Sequence, residues 1–163
     1  MIYGTKLIYK YTEEVPKVNE KGETLVDDNG DFLTETKEKK IELTFNLMTY
    51  LIYKNVIGTD LMKDFITFGK GFQKKVDKNE DILGLDTDNL TEEDAEKMLA
   101  VWDNDTIQFL LQITAAMIAT TEYPKQRPFE DIIKELPLNL LFDGEFIKEV
   151  IQLISFNIKK NNK

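Results

Sequence analysis

The feature that most constrains this chain is a change of hydrophobic period at Asn46. Before it, apolar and polar residues alternate: Lys6-Leu7-Ile8-Tyr9-Lys10-Tyr11 and Lys40-Ile41-Glu42-Leu43-Thr44-Phe45 have the alternation and aromatic content of strands. After it, apolar residues recur on adjacent helical turns, first at Leu47, Met48, Leu51, Ile52 and Val56. One chain therefore carries a β segment followed by a helical one. The expected fold class is α+β: a small N-terminal antiparallel β element (hairpin), then a mainly α-helical domain of about six helices. The expected organisation is residues 1–45 for the strands and a charged hairpin arm, and 46–163 for the helices, with an acidic linker at 76–105. At 163 residues, 42 % of them apolar, the chain is long enough to bury a core.

Local signals mark the boundaries. Between the two strands lie Val15-Pro16, Asn19 to Gly22 and Asp28-Asn29-Gly30-Asp31. Asn29-Gly30, flanked by Leu25/Val26 and Phe32/Leu33, predicts a hairpin with a type I′ turn. The arm is highly charged and thinly apolar. It is either mobile in isolation or an edge offered to a partner's sheet. Asn46 is a good N-cap and Gly58 a good C′ residue for the first helix. Thr59 or Asp60 opens a second, expected to stop at Gly69-Lys70-Gly71. Thr91-Glu92-Glu93-Asp94 is close to a capping box and opens a third helix through Trp102. Asp105 is the expected cap of a longer helix, Thr106 to about Thr121. Phe129 to Leu136 forms a short helix stopped by Pro137, and the last element runs from about Gly144 to Ile158.

The side-chain inventory narrows the chemistry. The chain has no Cys and no His, which removes thiolate nucleophiles, disulfides, Cys- or His-ligated metals and the usual neutral-pH general base. Its only Ser is Ser155, in an apolar run with no base beside it. No enzyme activity, catalytic residue, cofactor or metal is expected. Gly69-Lys70-Gly71 lacks the spacing of a phosphate loop. Asp77-Lys78-Asn79-Glu80-Asp81 starts like a calcium loop, but Ile82 stands where a glycine is needed and Asp88 where Glu is usual. The pairs Glu13/Glu14 and Glu92/Glu93 diverge as neighbours on a strand or helix, so they read as solvated surface.

Charge is uneven within a net −9. Residues 1–75 are balanced, while Asp77 to Asp105 hold 11 acids against Lys78 and Lys97. Such a belt repels nucleic acid and anionic membranes; it is either a solvated face or an attraction for a basic partner. Arg127 stands alone among the lysines, which argues against base-edge readout. No stretch is apolar enough to span a bilayer and no targeting signal is visible, so neither nucleic acid nor membrane is expected as a partner and the expected compartment is the cytoplasm.

The C-terminal helix is the most informative segment. Phe146, Ile147, Val150, Ile151, Leu153, Ile154, Phe156 and Ile158 cover about 220° of a wheel at about 100° per residue, wider than one core requires. Either the helix lies centrally with neighbours on two sides, or one edge docks a partner helix or a second copy of the chain. The candidate partner-binding residues are Phe142, Phe146, Val150, Leu153 and Phe156.

The order of elements carries a resemblance: the strand ending Leu43-Thr44-Phe45, the helix from Asn46 to Gly58, the helix from Asp60, a linker, the Trp102 to Ile118 region, Pro128 to Leu136, and the apolar last helix. Over residues 41–158 the chain resembles the tail assembly chaperones of long-tailed phages and prophages. The resemblance implies a non-catalytic factor in the host bacterial cytoplasm, with the tape-measure protein and tail-tube protein as partners, self-association in reserve, and absence from the mature virion. The runner-up is an acidic nucleic-acid mimic that inhibits a host protein with a basic groove.

Overall fold

At Asn46 the backbone passes from strand to helix, as the change of period requires. The computed structural model describes residues 1–78 and 91–161. They contain three strands, β1 (Ile2–Tyr3), β2 (Lys6–Pro16) and β3 (Thr34–Thr44), and seven helices: α1 (Leu47–Ile57), α2 (Leu61–Lys78), α3 (Glu92–Val101), α4 (Asn104–Glu122), α5 (Phe129–Glu135), α6 (Leu138–Leu141) and α7 (Gly144–Asn161). The strands form one sheet in the order β1-β2-β3, and the fold class is α+β. The chain divides into two units, one of residues 1–7 with 42–163 and one of residues 8–41.

In the larger unit, β1 folds back on β2, pairing Ile2 with Leu7 and Tyr3 with Lys6. Gly4 takes the left-handed φ of 62° at the first position of this two-residue turn, which L side chains resist. The core is centred on α4, which packs against α1, α2, α5 and α6. Ala115, Ala116 and Ala119 let neighbours approach it closely; Ile113 and Met117 fill the interior.

A hydroxyl network joins the end of β3, the start of α1 and the last turn of α4. Thr49 Oγ1 accepts from Asn46 N–H (3.1 Å), donates to the Thr44 carbonyl (3.1 Å) and meets Thr120 Oγ1 (2.9 Å). Thr44 and Thr121 hydroxyls meet at 2.8 Å. This network sets the rotation of α1. Its buried face is Thr49, Ile52 and Tyr53, whereas Leu47 and Leu51, expected on the apolar face, are exposed.

Caps follow the sequence with two corrections. Asn46 Oδ1 accepts from Met48 N–H at 2.8 Å, and Gly58 at φ 87° closes α1 through Lys54 O. Thr91 and Asp94 form the capping box of α3. The cap of α4 is Asp103 rather than Asp105: its Oδ1 accepts from Thr106 N–H at 2.9 Å, so the helix starts two residues early. The second correction is larger, because α2 does not stop at Gly69 but runs through Gly69 and Gly71 to Lys78. Neither glycine has positive φ, and the helix spacing brings Phe68 and Phe72 of α2 into ring contact, Phe68 stacking on Phe109 of α4. Packing outweighs the glycines' weak helix propensity. The seventh helix, beyond the expected six, is the single turn α6. Arg127 bridges Glu122 (2.9 Å) and Glu135 across the turn between α4 and α5.

The smaller unit is a ribbon of β2 and β3 whose tip carries two short hairpins of the same construction. Asn19 and Asp27 each start a turn that ends in a glycine of positive φ, Gly22 and Gly30. Each also accepts two backbone N–H groups on its Oδ1: from Lys21 and Glu23 onto Asn19, and from Asn29 and Asp31 onto Asp27. Since no non-glycine residue among those described has positive φ, the expected type I′ turn is instead a type I turn followed by a glycine bulge. Three backbone bonds close a ring at the junction: Leu25 N–H to Lys17 O, Leu33 N–H to Leu25 O, and Lys17 N–H to Leu33 O. The tip is thus a three-way junction of hairpins. None of residues 8–41, all of them described, is buried.

Candidate partner-binding surface

The five candidate partner residues divide in the structure. Phe146, Val150 and Leu153 are core residues, joined by Ile147, Ile154 and Asn157 in a buried stripe about 120° wide on α7. Phe142 is half-buried, its ring 5.9 Å from that of Trp102. Phe156 alone is solvent-facing, 52 % exposed. A docking edge made of all five is therefore ruled out: of the five Phe156 alone is exposed, because the body of the unit already covers the other side of α7.

Local chemistry explains why α7 is held in this rotation. Asp143 Oδ1 accepts from Glu145 N–H (3.0 Å) and Phe146 N–H (3.4 Å), satisfying donors of the first turn. Near the other end, the buried Asn157 amide donates to Gly4 O (3.2 Å) and to Leu153 O (2.9 Å). This ties α7 to the β1–β2 turn. Phe156 stands beside that tie and points away from the stripe.

There a mainly apolar groove of about 480 Å³ is lined by Ile2, Gly4, Gln152, Ser155, Phe156 and Lys159. Ser155, the sole serine, lies in the groove wall. Lys159 is the one charged residue of the lining. The arrangement suits burial of an apolar side chain with a polar or acidic neighbour.

Further exposed apolar residues lie outside the candidate set. Leu47 and Leu51, one turn apart, form a solvent-facing pair on α1, and Leu47 is 73 % exposed. At the tip of the ribbon Val18, Val26 and Phe32 are all exposed; Val18 pairs with Thr24 and Val26 with Phe32. Pattern alone did not separate Leu47 from a core residue, because its spacing is that of a buried face.

Two of the described acids of the belt have capping roles. Asp94 completes the cap of α3, and Asp103 caps α4 while pairing with Lys75. The Lys75 ammonium and the Thr106 N–H hold the Asp103 carboxyl down at about 2. Residues 79–90, with most of the calcium-loop candidate and with Glu80, Asp81, Asp86 and Asp88, lie outside the described residues. Among the described residues no group of three or more acids is placed to hold a metal ion, and no helix is long and apolar enough to cross a membrane.

An α+β body with a two-stranded ribbon is the class that fold and site define. No protein-family model, no curated protein and no solved structure matches the chain.

Proposed function

We propose that the protein is a non-catalytic tail assembly chaperone. It binds the tape-measure protein, keeps that client's apolar helical stretches in solution, and helps recruit tail-tube subunits in the host cytoplasm before the tail is complete. The observation that carries this reading is the apolar groove beside α7, in which Phe156 stays exposed next to Ile2. An amphipathic client helix would bury Phe156 and leave its polar face to solvent. The order of elements from Leu43 to α7 supports the same reading.

The test is co-expression with the tape-measure protein of the same gene neighbourhood and a pull-down at low and high salt. Retention of soluble client at high salt, lost with Phe156→Asp, is the expected result. Loss with rising salt that is indifferent to Phe156 would favour the acidic nucleic-acid mimic. No soluble client at either salt would remove the chaperone reading.

A further inference from the structure

A separate cleft of about 570 Å³ opens within the larger unit between α1, α2 and α4. Its size falls in the range of about 300–1,000 Å³ common for small-ligand sites. The floor is aromatic: Phe68 stacks on Phe72 at 5.3 Å and on Phe109 at 4.6 Å between ring centroids. Gln108 and Gln112 of α4 and Thr67 of α2 add polar groups to the walls.

Two features of the lining bear on what it can hold. The first is Gly71, a wall residue inside a continuous helix. Glycine is disfavoured there relative to alanine. Its φ is not left-handed, and a Cβ built on it would meet nothing within 4 Å. Gly69, outside the lining, has the same freedom, so the glycine by itself identifies no ligand; at Gly71 the missing side chain leaves open space at the wall of the cleft.

The second is the hydrogen bonding of Asp64. The Tyr53 hydroxyl (2.7 Å) and the Thr59 hydroxyl (2.6 Å) both donate to Oδ2. Burial pushes the Tyr53 hydroxyl above its ordinary value, so it remains a donor. Oδ1 is left as an acceptor with no partner among the described residues. Asp64, Phe68, Gly71 and Lys75 follow one face of α2 at helical spacing. Lys75, the one basic residue of the lining, is engaged with Asp103 and with Thr106 at 3.3 Å.

We propose that this cleft binds an organic cation, an ammonium or guanidinium group on an apolar or aromatic stem, with its head at Asp64 and its stem over Phe68 and Phe109 beside Gly71. A charge-assisted bond to Asp64 fixes the head, and the aromatic floor takes the apolar stem. The cation is either a free amine or the basic side chain of a partner segment.

The experiment is an amide-resolved NMR titration of the full chain with phenethylamine, with acetyl-Phe-Arg-amide, and with phenethyl alcohol as the neutral counterpart. Saturable shifts at the Gly71 and Gln108 amides are expected for at least one cation, with the alcohol at least tenfold weaker. Asp64→Asn, which keeps an acceptor for Tyr53 and Thr59, should weaken the cation at least tenfold. Gly71→Leu, which adds a bulky side chain at the cleft wall, should abolish binding and serves alone if Asp64→Asn fails to fold. Saturation by the amine alone assigns a free ligand; tighter binding of the peptide assigns a partner's side chain. Failure of both cations to saturate, equal binding of the alcohol, or indifference to the variants that fold overturns the proposal.

Discussion

Replacing Gly69 and Gly71 by alanine tests the least expected feature of the fold. Both lie inside α2 with helical backbone, and a Cβ at either meets nothing within 4 Å. With no steric cost, the change gains helix propensity and lowers the entropy of the unfolded chain, together worth about 0.5–1 kcal/mol per site. Residues two apart do not face each other on a helix, so the effects should add to about 1–2 kcal/mol. For a chain of this size that is a rise of roughly 2–8 °C in Tm. Urea unfolding should show the midpoint moving up with the slope unchanged, since the surface exposed on unfolding is the same. A drop in stability for either single variant would mean that the helix ends at this glycine in a left-handed turn, as local sequence signals alone suggest, and would refute the continuous helix.

The division of α7 into a core stripe and an exposed edge predicts opposite outcomes ten residues apart. Phe146→Ala should cost about 3–5 kcal/mol, whereas Phe156→Ser should stay within about 0.5 kcal/mol, both by urea unfolding. Thr49→Val keeps the shape but strips a partner from Asn46 N–H, Thr44 O and the Thr120 hydroxyl, and should cost about 1–3 kcal/mol; Thr49→Ser should recover most of it. The Asp103 carboxyl lies below its unfolded value of 3.8, so the unfolded chain binds more protons in that window; the stabilisation is present above about pH 4 and is lost as pH falls toward about 2. Because the Asp103 side chain is 41 % exposed the loss should be under about 1 kcal/mol, and Lys75→Met should flatten this part of a stability-versus-pH curve.

The candidate surface was only partly legible from sequence. Phe156 is one of five residues the pattern offers, and hydrophobicity gives the same weight to Phe146, which is buried, and to Phe156, which is not. The convergence on Asp64 is not legible in the sequence. Tyr53 and Thr59 reach Asp64 from α1 and the loop after it, and no local pattern signals a convergence across two helices.

By itself, the sequence determined the switch from strands to helices at Asn46, the caps at Asn46, Gly58 and Thr91, and the turn glycines Gly22 and Gly30. These depend on interactions within a few residues: a side-chain oxygen meeting a nearby N–H, or a backbone that only glycine adopts cheaply. Tertiary structure alone decided that α2 continues through two glycines, that Leu47 faces solvent while Thr49 is buried, and that α7 hides Phe146 but not Phe156. Each of those outcomes is set by what lies across the core: Phe109 opposite Phe68, Thr120 opposite Thr49, and the β1–β2 turn opposite Asn157. Such contacts join residues distant in the chain, and their energies exceed the local preferences they override.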